Sequence, residues 1–186
     1  LINLFKNSFP DIEFVKSIDV KYDYSVAMSH LPYYLKMDFK NIPTPQGYLK
    51  SDKIELKSSK LKVGICWEGG NSDFRNTIHR SIPINMLKPL YDKNFEIYSL
   101  QVNSSNKDYK KDCNIIDLED KIKTFEDTAK YIKAMDVIVS VDTSVANLAG
   151  ALGVKTFILL PYYPDWRWFD NKNKTEWYDS FKIYTL

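Results

Sequence analysis

Apolar positions along this chain fall into two regimes. From residue 61 onward, short apolar runs recur: LKVGIC (61–66), FEIYSL (95–100), NIIDL (114–118), DVIVSV (136–141), TFILLP (156–161) and FKIYTL (181–186). They lack regular polar alternation, which is the pattern of strands buried on both faces. Between them lie stretches with helical spacing. TFEDTAKYIKAM (124–135) puts Phe125, Ala129, Ile132 and Met135 on one stripe, and Thr124 and Asp127 are spaced almost as in a capping box. SVANLAGALG (144–153) reads as a small-residue helix closed by Gly153. INMLKPLYD (84–92) reads as a helix opened by Pro83, with Ser81 just before it. Strands separated by helices predict an α/β fold: a Rossmann-like parallel sheet, covered on both faces, over residues 59–186.

The preceding residues differ in kind. A short helical piece (1–9), a strand at IEFVKS (12–17) and the aromatic segment KYDYSVAMSHLPYYL (21–35) are expected there. Pro43, Pro45 and Gly47 then break any regular element, and the Lys/Ser-rich stretch 50–60 reads as an exposed connector. Residues 1–58 are therefore expected to be a partial domain with its linker.

Composition narrows the class. With 44% hydrophobic and 27% charged residues the chain is an ordinary globular protein rather than a disordered one. No apolar run approaches the roughly 20 residues that span a bilayer, so no transmembrane segment is expected. The opening LINLFKNSFP has neither the basic region nor the cleavage site of a signal peptide. Cys66 and Cys113 lack metal-ligand spacing and a His pair, so buried reduced thiols, no metal site and a cytoplasmic location are expected. A net charge of +2 gives no ground for a nucleic-acid partner. Arginine usage is more telling: among 26 Lys plus Arg, only Arg75, Arg80 and Arg167 are arginines, and all three fall in segments that follow strands. There the rigid guanidinium fork suits a phosphate or a carboxylate.

Open parallel sheets bind ligands outside the carboxyl ends of their strands. The loops emerging there are 67–81, 101–112, 142–144 and 161–170, and they carry the arginines, His79, Trp67, Trp166 and Trp168. No G-x-G-x-x-G follows a strand and no G-x-x-x-x-G-K-[ST] occurs, which argues against an ordinary dinucleotide dehydrogenase or a P-loop nucleotidase. At DTS (142–144), the hydroxyls of Thr143 and Ser144 and the first N–H groups of the helix suit an anion, although either residue also fits a simple N-cap. Asp142, a carboxylate at the end of a buried strand, suits a ligand hydroxyl rather than a phosphate. Arg80 and Ser81 sit just before a helix start, where a guanidinium, a hydroxyl and the helix dipole converge. His79 is open between a general base and a solvated loop residue, and His30 reads as structural. The aromatics of YPDWRW suit sugar or base stacking and equally a packed domain edge.

Five ordered segments resemble a known family. GICW (64–67), RSIP (80–83), SLQ (99–101), DTSVANLAGALG (142–153) and PYYPDWRW (161–168) are similar to segments of heptosyltransferase-like glycosyltransferases, glycosyltransferase family nine. The likeness is to the module found after tetratricopeptide repeats. It implies a GT-B architecture in which residues 59–186 are the carboxy-terminal donor-binding domain and 1–58 a remnant of the acceptor domain. It further implies a nucleotide-diphosphate sugar as donor substrate, no separate cofactor, no metal, and a glycan, lipid-linked or protein acceptor. By matching motifs, Asp142, Thr143 and Ser144 would face the donor diphosphate and sugar. Arg80 and Ser81 would approach the phosphates, Gln101 would lie near the nucleotide, and Trp67 and Arg167 would complete the donor site. Two departures stand out. Asn147 occupies a position where the family commonly has His, and the general base, expected from the first domain's amino-terminal part, is not found. A portion of a longer enzyme is thus expected, with a non-catalytic binding module or a nucleotide-sugar epimerase as alternatives.

Overall fold

Each apolar run from residue 61 onward forms a strand. The computed structural model describes residues 1–17, 21–38, 41–43, 46–70, 80–105, 107–112, 114–168 and 173–186, so Arg75, His79 and Cys113 lie outside the described residues. Strands β1 (Leu61–Cys66), β2 (Phe95–Ser99), β3 (Ile115–Asp117), β4 (Val137–Val141), β5 (Thr156–Leu160) and β6 (Phe181–Thr185) form one sheet in the order β3-β2-β1-β4-β5-β6. Every pairing is parallel, with Cys66 opposite Ser140 at the top of the central β1–β4 pair. The sheet is Rossmann-like, as its sequence pattern predicts.

Successive residues along each strand face opposite layers. Val63, Ile65, Ile97 and Val139 point to one side, where they meet Leu87, Tyr109 and Trp67. Tyr98, Leu100 and Ile138 point to the other, against α3 (Phe125–Ala134) and α4 (Ser144–Ala151). Complete burial of a side chain such as Ile138 stabilises the fold by roughly 1.5–3 kcal/mol relative to exposure. Gly64 leaves room on this second side, because a β-carbon there would come within 2.7 Å of Ile138 and 2.8 Å of Leu100.

The helices start and stop where their caps dictate. Thr124 Oγ1 accepts from the Asp127 N–H (3.2 Å) and Asp127 Oδ2 from the Thr124 N–H (2.9 Å), a complete capping box for α3. Helix α4 ends in a Schellman turn: Gly153, at φ +70°, donates to Gly150 O and Val154 donates to Ala149 O, both at 2.9 Å. The segment expected as a helix over 84–92 instead forms a 3-10 helix, Ile84–Leu90. Pro89 within it has no N–H to donate and so works against α-helical bonding.

Part of the first 58 residues packs on this domain. Helix α1 (Ile2–Ser8) buries Leu4 in the same core layer as α3 and α4, and Leu49 joins it. The Leu49 N–H donates to Ala151 O (2.8 Å) and the Lys50 N–H to Ser8 Oγ (2.9 Å). No strand forms at 12–17, where Phe14 stacks on Phe5 at 5.3 Å; an isolated strand has no partner for its backbone groups. A short helix, α2 (Leu31–Tyr34), lies in the exposed aromatic segment.

Candidate functional site

The strand order fixes where a crevice opens. From β1 the chain moves to β2 and β3 on one side, then returns to place β4 on the other, so the loops after β1 and β4 diverge. A cavity of about 370 Å³ lies there, lined by Cys66 at the end of β1 and Glu68 after it, Arg80, Gln101 after β2, Thr124 and Phe125 at the start of α3, and Asp142, Thr143 and Ser144 after β4. A second cavity of about 610 Å³ shares Arg80 and Asp142 with the first and runs along the strap Pro161–Asp165 that follows β5.

Asp142, Thr143 and Ser144 point three different ways. Asp142 is 2% exposed. Its Oδ2 accepts from Arg167 Nη2 (2.6 Å) and from the Trp168 indole N–H (3.0 Å), while Oδ1 is buried with no partner among the described residues. Thr143 is the N-cap of α4: its Oγ1 accepts from the Ala146 N–H (3.4 Å) and lies 3.0 Å from Ser140 Oγ and 3.7 Å from Cys66 Sγ. Ser144, the first helical residue, is exposed on the cavity wall. The N–H groups of Ser144 and Val145 precede any possible intrahelical acceptor, so they are directed out of the helix end.

The opposite wall is held by backbone-directed side chains. Gln101 is buried, and its Oε1 accepts from the N–H groups of Trp67 (3.2 Å) and Glu68 (3.0 Å) and from the Cys66 thiol (3.3 Å). Its Nε2 donates to Glu68 O (3.2 Å), so both ends of the amide brace the loop leaving β1. Ser81 Oγ accepts from the Gly69 N–H (3.0 Å), and the Ile82 N–H donates to Trp67 O (2.9 Å). These bonds tie residues 80–82 to the β1 exit and carry Arg80 onto both cavities.

Two groups in the first cavity titrate away from their usual ranges. Burial pushes the Cys66 thiol up to about 11, against the opposing hydrogen bonds of Thr143 and Ser140. Burial also acts to raise the Glu68 carboxyl, but hydrogen bonds from Ser104 (2.6 Å) and Ser105 and the charge of Lys107 outweigh it and hold the group below the ordinary carboxylate value. Glu68 is therefore a fixed negative charge beside an uncharged thiol.

The structure brings Asp142, Thr143, Ser144, Arg80 and Gln101 onto one cavity. Ser81 acts one step behind it, through the loop it holds. Trp67 does not reach it: its ring is buried in the core, edge-on to Tyr109 at 4.7 Å. Arg167 lines neither cavity, its guanidinium lying between Asp142 and Asp165. Asn147 is engaged inside the fold, with Nδ2 donating to Thr143 O (3.0 Å) and Oδ1 accepting from the Tyr178 hydroxyl (3.3 Å). Glu68 and the amino-terminal turn of α3 join the site without having stood out in the sequence. The capping box announced that helix start, and the topology alone shows that it opens on the cavity.

No protein-family model matches the chain, and no curated protein does. Among solved structures it is similar to the ADP-heptose lps heptosyltransferase II of E. coli, with 14% identity and a TM-score of 0.48 over 70% of this chain and 40% of that one. The chain thus spans about 40% of the length of that structure. A likeness at that identity and score carries no argument about activity, which rests on the cavity itself. Among the described residues, no helix is long and apolar enough to cross a membrane.

Proposed function

We propose that the first cavity binds the diphosphate of a nucleotide-diphosphate sugar and that the chain is the donor-binding part of a glycosyltransferase. One observation carries this reading: the exposed Ser144 hydroxyl, the outward amides of α4 and the Arg80 guanidinium line the same cavity at the sheet's switch point. Helix dipole and guanidinium together supply the positive field that a departing diphosphate needs, which is electrostatic stabilisation of a leaving group. Apolar Leu100, Val102, Ile122 and Phe125 line the same cavity and suit the flat face of a base. The ordered segments that resemble those of family-nine glycosyltransferases support the same reading. The acceptor belongs to the glycan, lipid-linked or protein classes.

Calorimetric titration with UDP, ADP, GDP and CDP tests the reading. One of them should bind, and Arg80→Ala should weaken it by about tenfold to a hundredfold, the worth of a charge-assisted hydrogen bond. No binding by any of the four, or unchanged affinity in Arg80→Ala, refutes it. A non-catalytic donor-binding module is the second reading, favoured by Asn147: its amide holds Thr143 and Tyr178 instead of facing the cavity. Transfer of a radiolabelled sugar to any acceptor excludes that alternative.

A further inference from the structure

We propose that the strap Pro161–Trp166 is a saccharide-binding platform, with Tyr162 and Tyr163 as its contact surface. The inference deepens the glycosyltransferase reading and rests on it for the source of the saccharide. Tyr162, Tyr163 and Trp166 are 72%, 86% and 77% exposed, and they lie within five residues of one another. Such a concentration of bare aromatic surface marks a binding site more often than an ordinary exterior. Exposure here does not reflect a loose segment. Arg167 bonds Asp142 and Asp165, Trp168 is buried against Phe181 and donates to Asp142, and the Trp177 indole N–H donates to Arg167 O at 2.6 Å. The strap is anchored at its far end while its aromatic rings stand clear.

The chemistry around the rings selects the ligand. Tyr162 and Tyr163 meet edge to face, 4.8 Å apart at 87°, so they form a corner rather than a parallel-walled slot. A puckered sugar ring fits a corner, whereas a flat base is held best between parallel faces. The cavity beside them is bounded by one guanidinium, Arg80, and two carboxylates, Asp142 and Asp165, which share Arg167 between them. That near-balance does not favour a polyanion. Asp142 Oδ1, buried and unpartnered among the described residues, is an acceptor in need of a donor, and a sugar hydroxyl is one. Because Arg80 and Asp142 border both cavities, a saccharide on the strap adjoins the diphosphate site and stands where either the donor's own sugar or an acceptor sugar would lie.

The test is an NMR titration of the full chain with trisaccharides of glucose, galactose, mannose and N-acetylglucosamine. Nucleotide sugars and their free nucleoside diphosphates are titrated in parallel. Both tyrosines are exposed, so the double variant Tyr162→Ala/Tyr163→Ala should fold. It should weaken saccharide binding about tenfold while leaving nucleoside diphosphate affinity unchanged. Tyr24→Ala, which removes a 94% exposed ring that lines neither cavity, should change nothing. Loss confined to a trisaccharide identifies the platform with the acceptor. Loss of the extra affinity that a nucleotide sugar has over its diphosphate identifies it with the donor sugar. If wild type binds no trisaccharide and gains nothing from the sugar of a nucleotide sugar, or if the double variant binds as well as wild type, the platform is refuted. Failure of every nucleoside diphosphate to bind sinks the donor reading alone, since the trisaccharide arm decides the platform independently.

Discussion

Replacing Arg167 by Met tests whether Asp142 is a charge the strap must neutralise. Asp142 is 2% exposed, its partner's side chain is 34% exposed, and the ion pair measures 2.6 Å. Removing one member of a fully buried pair costs about 3–5 kcal/mol, because the other charge is left without compensation. Partial solvation of Arg167 lowers that range, so about 2–3 kcal/mol is expected here. Asp142→Asn should cost about 1–3 kcal/mol, because its amide oxygen still accepts from the Arg167 guanidinium and the Trp168 indole while its NH2 takes the place of Oδ1, which has no partner among the described residues. In the Asp142→Asn background no buried charge remains, and Arg167→Met should then cost well under about 1 kcal/mol. Urea denaturation of the four proteins measures the coupling as about 2 kcal/mol. If Arg167→Met costs the same in both backgrounds, the pair is not what holds the strap. The docking of Trp168 against Phe181 would then have to account for it.

Two further perturbations probe the helix behind the site and the thiol beneath it. Gly150→Ala in an ordinary helix interior gains about 1 kcal/mol, but here the new β-carbon runs into the Tyr178 ring, and overpacking of about 1–3 kcal/mol should reverse the sign. The same substitution made with Tyr178→Ala should stabilise in thermal melts; destabilisation in both backgrounds would show that the clash is elsewhere. For Cys66, the folded thiol is held up to about 11 from an ordinary 9.0, so the native state keeps its proton where the unfolded chain has lost it. Stability should therefore be unaffected below about pH 9 and fall by about 2–3 kcal/mol between about pH 9 and 11, a slope that Cys66→Ala should remove. Iodoacetamide at about pH 8, below the ordinary thiol range, should leave the Cys66 peptide unlabelled until urea is added. Labelling of the native protein would refute the burial.

Much of the sheet was legible because its signal is local. Unalternating apolar runs identify strands buried on both faces, and the capping pair Thr124/Asp127 fixes the start of α3 without knowledge of anything else in the fold. Failures arose where a long-range partner decides. IEFVKS has strand-like composition but no neighbouring strand to bond. Leu49, just before the Lys/Ser-rich stretch 50–60 and in no element the sequence predicts, is buried because Leu4 and the carbonyl of Ala151 are there to receive it. Trp67 looked like a site residue because it follows a strand directly. One residue's difference in a pleated chain sends its ring into the core and Glu68 to the cavity.

The same alternation explains why the D-T-S step shows its chemistry in sequence but not its division of labour. Three polar residues after a buried strand announce a site, yet each is used differently. Asp142 continues β4's inward direction and is clamped by Arg167 and Trp168, Thr143 turns back to close the helix end, and only Ser144 stands free on the wall. A carboxylate beside a diphosphate site would repel the ligand if it were bare. With Arg167 on Oδ2, its charge is balanced from behind and its second oxygen is left as a directional acceptor. On the proposed reading, the arginine that resembles a phosphate ligand in sequence would serve the site through the aspartate. Arg167→Met should therefore weaken binding of a nucleoside diphosphate by restoring that repulsion, and Asp142→Asn should rescue it. A guanidinium that touched the phosphate itself would show no such rescue.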